Sequence, residues 1–235
     1  MHLKPRPSRR QTAHSISEPS SLSSIKVAMV EDDLKWRREL SVFLGRSRDL
    51  VLVSAVASGE AALTHLPRLR PEVVLMDIRL PNLDGVECVR RLKPLLPETQ
   101  FAMLTACEDN QGLFGSLRAG ASAYLLKPVA PAEVVRAIRE LHAGGSPLTA
   151  KIARRLVRNF QQTQTGLDPS ARAGLEELTE NQRAFLDQLV QGYRYKEIAE
   201  NLGISMHAVR GYIRRIYQKL TVHSRTEAVV KYLRR

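Results

Sequence analysis

The sequence predicts a doubly wound α/β domain built on a five-stranded parallel sheet, followed by a small all-α domain. Three observations lead there. Five short apolar runs recur between residues 25 and 126. Each is followed by a longer stretch with apolar residues at three- and four-residue steps. From Leu175 onward no strand signal returns and helical periodicity takes over. Strands buried on both faces of a parallel sheet are apolar throughout, and a helical crossover carries the chain back to begin the next one.

The elements follow in order. "IKVAMV" (25–30) is the first strand, and "LKWRRELSVFLGR" the first helix, with Asp33 placed to cap it. "LVLVSAV" (50–56) leads into "SGEAALTHLPRL", and "EVVLM" (72–76) into "DGVECVRRLKPLL". "QFAML" (100–104) precedes "EDNQGLFGSLRAG", whose Gly120 suits a helix C-terminus. After "SAYLL" (122–126), "PAEVVRAIRELHAGG" opens on Pro131 and closes on Gly144 and Gly145. Residues 146–174 break the alternation: "SPLTAKIARRLVRNFQQ" suits one amphipathic helix and "TQTGLDPSARAG" reads as linker. The expected division is a disordered basic tail over 1–24, an α/β domain over 25–143, a linker with a helix over 144–174, and a helical domain over 175–235.

Composition bounds the function. At 235 residues and 26.4 kDa, with 43% hydrophobic and 26% charged residues, the chain has room for two modest soluble domains. No apolar run approaches the roughly 20 residues of a membrane helix. The first 24 residues are basic and rich in Ser and Pro without an apolar centre, which argues against a secretory signal. Cys88 and Cys107 lack CxxC spacing and read as reduced, packing thiols of a cytoplasmic protein. Net charge is +12 and unevenly spread. Residues 26–142 hold 16 Lys and Arg against 15 Asp and Glu, whereas 175–235 hold 11 against 7. A basic C-terminal part points to a polyanionic partner, with an ordinary solvated basic face as the plainer alternative.

In an open parallel sheet, ligands bind beyond the carboxyl ends of the strands. Glu31, Asp32 and Asp33 follow the first run, Asp77 the third, Thr105 the fourth, and Lys127 with Pro128 the fifth. Singly, each has a plain reading: Asp33 and Asp77 as caps or turn residues, Thr105 as a strand end, Lys127 as a solvated lysine. Their convergence on one sheet edge argues for chemistry. Clustered carboxylates repel unless a cation joins them, and oxygen-only donors suit Mg²⁺. A metal-neutralised aspartate can attack a phosphoryl group. Asp77 then becomes the nucleophile, Glu31 and Asp32 the metal holders, Lys127 the phosphate counter-ion, and Thr105 a hydroxyl for the new phosphoryl oxygen.

"VAMVEDD", "LMDIRLPNLDG", "MLTA" and "YLLKP" resemble the receiver domain of two-component response regulators over about 25–143. The resemblance implies a flavodoxin-like fold in which Asp77 accepts a phosphoryl group from a sensor histidine kinase with Mg²⁺. Glu31 and Asp32 match the acidic pair, and Arg79 the position whose backbone carbonyl completes the metal shell. Thr105 and Tyr124 match the switch pair, Lys127–Pro128 a cis peptide bond, and Pro81 and Gly85 the loop that turns away from the acid. Arg79 and Cys107 occupy positions that influence how fast the phosphoryl group is lost.

Beyond the linker, Thr179 can cap a helix ending at Gly192, "KEIAENLG" stops at Gly203, and Ser205 can cap "MHAVRGYIRRIYQKL". Two helices joined by a glycine-containing turn make a helix-turn-helix, whose second helix enters the major groove. Val209, Ile213, Ile216 and Leu220 form one apolar face, leaving Arg210, Arg214, Arg215 and Lys219 for phosphates and bases. A charged surface helix is the alternative from spacing alone. From Leu178 to about Val230 the residues resemble the LuxR-type C-terminal domain. That resemblance makes Arg210, Gly211 and Arg214 base- and backbone-reading positions, and gives Lys196 and Lys219 phosphate contacts. Gln182, Arg194, Tyr195 and Tyr212 depart from its usual residues.

Together the halves resemble a response regulator of the NarL/FixJ type. The resemblance implies double-stranded DNA as a partner, no membrane, and a homodimer when phosphorylated. It is no enzyme, but a single-turnover phosphoryl acceptor at most. An enzyme acting on small phosphate esters would need a second acid, a cap domain or a Gly-rich loop, and none is visible in the sequence. A DNA-binding regulator whose receiver works by contact alone is the remaining alternative. A further expectation is that a linker helix over 147–161 locks the DNA-binding helices in the resting state.

Overall fold

Each of the five apolar runs forms a strand: β1 Ile25–Val30, β2 Leu50–Val56, β3 Val73–Met76, β4 Gln100–Thr105 and β5 Ala121–Leu126. The computed structural model describes residues 24–106, 110–147, 152 and 174–233. The expected N-terminal tail apart from Ser24, Cys107, and most of the linker with its helix lie outside the described residues. Five helices follow the strands: α1 Leu34–Gly45, α2 Gly59–Leu69, α3 Gly85–Leu95, α4 Asn110–Ala119 and α5 Pro131–His142. The sheet is parallel throughout with strand order β2-β1-β3-β4-β5. Alternate residues of β3 serve opposite faces. Val74 and Met76 join one core cluster with Ala62, Leu92 and Phe101, whereas Val73 and Leu75 join another with Leu40, Leu44 and Ile138.

The expectation that every strand is buried on both faces fails at β2. It is an edge strand with one neighbour, β1, and Val51 remains 46% exposed. The opposite edge, β5, is buried because the chain leaving α5 lies along it. The Tyr124 N–H donates to the Pro147 carbonyl at 3.4 Å, Ser146 Oγ donates to the Ser122 carbonyl, and Ile152 is fully buried in the same cluster as Tyr124. Pairing an otherwise open edge satisfies backbone groups that would face water.

The second domain comprises α6 Glu180–Val190, α7 Tyr195–Leu202, α8 Met206–Leu220 and α9 Arg225–Leu233. Thr179 and Gln182 form a reciprocal capping box at the start of α6, so glutamine serves there as a glutamate would. Gly203, at φ 64°, ends α7, and the Ser205 side chain accepts from the Ala208 N–H to open α8. Phe185, Ile198, Val209, Ile216 and Leu220 are fully buried in its core. Ile213, expected on the same apolar face, is only half-buried and lines a cleft toward the first domain.

Candidate functional site

The strand order reverses between β1 and β3, which places the ends of those strands beside a crevice. Glu31 and Asp77 stand there, 1% and 6% exposed. The Asp77 N–H donates to the Val30 carbonyl, continuing the β1–β3 ladder by one bond and fixing the acid beside Glu31. Carboxylate oxygens of Glu31, Asp32 and Asp77 all lie within 4.8 Å of one another. Asp33 is turned away: its side chain accepts from the Lys35 and Trp36 N–H groups at the start of α1, and those bonds hold its carboxyl below the usual range.

Lys127 reaches across from the end of β5. Its Nζ donates to Glu31 Oε2 at 2.6 Å and to Asp77 Oδ2 at 2.7 Å. Burial is the largest influence on Glu31 and raises its pKa, with Lys127 opposing. Burial is also the largest influence on Lys127, but its bonds to Asp77 and Glu31 outweigh it together and raise the ammonium's pKa. Three carboxylates against one ammonium leave an excess of negative charge, and hard oxygen donors this close fit a divalent cation such as Mg²⁺.

The loop behind the acid explains Gly85. A Cβ there would lie 1.8 Å from the Asp77 carbonyl oxygen, and the Gly85 N–H donates to Ile78 O at 2.8 Å. Only glycine lets α3 begin this close to the acid. The Arg79 N–H donates to Asp77 Oδ1 at 3.1 Å, while its side chain is exposed. Thr105 is fully buried at the end of β4, its carbonyl accepting from the Lys127 N–H. The Tyr124 ring is already inside the core. The Lys127–Pro128 bond is cis. Arg37, not singled out from the sequence, donates to the carbonyls of Glu31 and Asp32 and so braces the acidic loop. Its only sequence signal is a basic residue one helical turn beyond the acidic pair.

The candidate DNA-contacting residues divide. Arg210, Arg214, Arg215 and Lys196 are exposed, with the Arg215 guanidinium 5.3 Å from the Tyr212 ring centre. Gly211 lies between them with room for a Cβ. Lys219 instead folds back within its own domain, donating to the Glu177 carbonyl at 2.6 Å and to Gln182 Oε1 at 3.1 Å. The outer face of α8 is turned toward the first domain. Met206, Arg210, Ile213, Arg214, Tyr217 and Gln218 line a cleft of about 710 Å³ whose other wall includes Glu72, Lys93 and Gln100. An Arg210 guanidinium nitrogen lies 3.9 Å from Glu72 Oε1, which also meets His142 Nε2 at 3.0 Å. Sequence reading gave no sign of these contacts, because they join residues far apart in the chain.

No helix among the described residues is long and apolar enough to cross a membrane. Residues 27–139 match the family described as the response regulator receiver domain, and residues 176–232 match bacterial regulatory proteins of the luxR family. The chain is 31% identical over 206 residues to the DNA-binding transcriptional activator DevR/DosR of Mycobacterium tuberculosis, covering 88% of this chain and 93% of that protein. It is 30% identical over 207 residues to the response regulator protein VraR of Staphylococcus epidermidis, covering 88% and 95%. A crystal structure of a two-component response regulator of the LuxR family from Aurantimonas sp. SI85-9A1 superposes with a TM-score of 0.55 at 25% identity, covering 58% of this chain and 98% of that one.

Proposed function

The chain belongs to the response regulators that join a receiver to a LuxR-type DNA-binding domain, transcriptional regulators rather than enzymes, and from that premise we propose that Asp77 is its phosphoryl acceptor. The observation that carries this reading is the Lys127 ammonium bonded to both Glu31 and Asp77 at the strand-order reversal. A sensor histidine kinase supplies the group. An Asp77 carboxylate oxygen attacks phosphorus, the O–P bond forms as the P–N bond of the kinase phosphohistidine breaks, and the departing imidazole retains the electron pair and takes a proton. Lys127 neutralises charge on the transferring oxygens, and Glu31 keeps that ammonium aimed at the acid.

Glu31, Asp32, Asp77 and the Arg79 carbonyl would hold Mg²⁺. Bound there, the ion neutralises the attacking carboxylate and the phosphoryl oxygens. Thr105 then receives a phosphoryl oxygen, and Tyr124, one strand over, responds through β5. Arg210, Gly211, Arg214 and Arg215 read DNA, with Lys196 on phosphates. Lys219 joins them only if DNA draws it from Glu177 and Gln182. Phosphorylation favours a homodimer, which doubles the phosphate contacts. The receiver spans 25–143 and the DNA-binding domain 175–235, and the protein works in the cytoplasm.

The test is binding of duplex DNA before and after treatment with acetyl phosphate and Mg²⁺. Native chain should tighten on treatment and Asp77→Asn should not. Equal tightening of both variants, or of neither, would favour a receiver acting by contact alone. Lys196→Ala should weaken binding alike on all sequences and lower the salt slope by about one.

A further inference from the structure

The loop from β1 to α1 carries two of the three clustered carboxylates, and its backbone is held from two sides. On one side the Glu31 N–H donates to the Val56 carbonyl of β2 at 3.0 Å. On the other stands Arg37, half-buried and one turn into α1. A single guanidinium nitrogen, Nη1, donates to the Glu31 carbonyl and, at 3.2 Å, to the Asp32 carbonyl. Helical side chains lean toward the helix N-terminus, so this residue reaches the loop that precedes its own helix. The Arg37 backbone is locked in turn. Its N–H donates to the Asp33 carbonyl at 2.9 Å, and its carbonyl accepts from Ser41 Oγ at 2.7 Å.

Helix stability does not explain this arginine. A cation near a helix N-terminus meets the positive end of the dipole, and α1 has no acid in its first turn to offset it. Charge pairing does not explain it either, because the guanidinium bonds two carbonyls rather than the carboxylates beside them. The two acids differ in their need of it. The Glu31 carboxylate is also fixed by Lys127 at 2.6 Å and by the Asp33 N–H at 3.3 Å. Asp32 is exposed, and among the described residues the hydrogen bond found on it is the one from Arg37. We propose that Arg37 is a positioning residue of the cation site: it holds the backbone of Glu31 and Asp32 so that their carboxylates stand ready, and thereby sets Mg²⁺ affinity. Mg²⁺ demands near-ideal octahedral geometry, so a ligand that must first be ordered binds it less well. The inference rests on the acidic corner being the cation site proposed above.

The test titrates the full chain with Mg²⁺ at constant ionic strength, followed by calorimetry and by the fluorescence of Trp36. That residue is the only tryptophan of the chain, and its N–H donates to the Asp33 side chain at 3.1 Å, one residue from Asp32. Arg37→Gln should weaken Mg²⁺ binding about 10- to 100-fold, the usual loss when a group behind a metal ligand is removed. Arg37→Lys keeps the charge with a shorter reach and should recover part of that loss. Repulsion between guanidinium and cation has the opposite sign: were it dominant, Arg37→Gln would bind Mg²⁺ more tightly and Arg37→Lys as the native chain does. Asp32→Asn combined with Arg37→Gln should cost less than the sum of the two, because one acts through the other. In acetyl phosphate labelling, the Mg²⁺ concentration for half-maximal rate should rise by the same factor in Arg37→Gln, with the rate at saturating Mg²⁺ close to native.

Native or tighter Mg²⁺ affinity in a folded Arg37→Gln overturns the inference. Should Arg37→Gln lose helix content, Arg37→Lys decides: it must bind Mg²⁺ more weakly than the native chain, and equal affinity overturns the inference. If the native chain itself gives no Mg²⁺ response, the cation reading of the acidic corner fails and this inference falls with it. A native response that Arg37→Gln leaves unchanged overturns this inference alone.

Discussion

Two lysines stand at opposite ends of the parallel sheet, Lys127 half-buried and Lys93 buried, and their pKa values move in opposite directions although burial lowers both. Lys127, at the carboxyl ends of the strands, bonds two carboxylates at 2.6 and 2.7 Å, and its pKa rises despite burial. Among the described residues, Lys93, near the amino end of β4, finds the Thr99 carbonyl at 2.8 Å and the Phe101 ring at 5.7 Å. Burial pushes it down to about 8. A partnered buried charge is a component held ready for a ligand, whereas an unmatched one costs stability. The first end is built to react to an incoming charge. The second borders the cleft to the DNA-binding domain.

The largest expected effect breaks the partnered end. Lys127→Met leaves Glu31 and Asp77 buried without their ammonium and should lower unfolding stability by about 3–5 kcal/mol in chelator at neutral pH. Added Mg²⁺ should restore most of the loss. Denaturant titrations with and without the ion check this, and no rescue would mean the carboxylates do not share a cation site.

At the other end the sign reverses. Lys93→Met should stabilise the chain by about 2 kcal/mol at pH 7, the charging penalty removed less one hydrogen bond. Because the folded pKa of Lys93 lies below its ordinary 10.5, its cost is fully present below about 8. The advantage of the variant should shrink as pH rises from about 8 toward 10.5. A gain constant across that range would assign it to packing instead.

Glu31 gives a smaller, purely directional test. Its folded pKa lies above the ordinary 4.5, so in chelator stability should fall as pH rises from 4.5 toward the folded value, and then level off. Glu31→Gln should flatten that fall. The smallest effect belongs to a pair outside both ends: Arg139 and Asp49 bond bidentately on the surface, and Arg139→Gln should cost under about 1 kcal/mol, less at high salt.

The same contrast separates what the sequence revealed from what it hid. The acidic corner was legible because each member ends or directly follows its own strand, so register alone brings Glu31, Asp77, Thr105 and Lys127 to one edge. The positions of the five strands were legible for the same reason, apart from one-residue shifts at β3, β4 and β5. The half exposure of β2 was not, since an edge strand and a central one share the same apolar run, and only pairing distinguishes them. Nor was the domain contact. Gly144 reads as a helix stop and Tyr195 as a helix start, and nothing local says that the Tyr195 ring lies on Gly144. The fate of Lys219 was hidden likewise: its position on α8 suits a phosphate, but Glu177 and Gln182, from the segment before and the start of α6, supply nearer acceptors.

The most direct test of the central claim is phosphoryl incorporation from acetyl phosphate, with and without Mg²⁺, in native chain and in Asp77→Asn. Labelling of the native chain only, and only with Mg²⁺, is the predicted result. Labelling that persists in Asp77→Asn, or that needs no Mg²⁺, would contradict the assignment of the acidic corner.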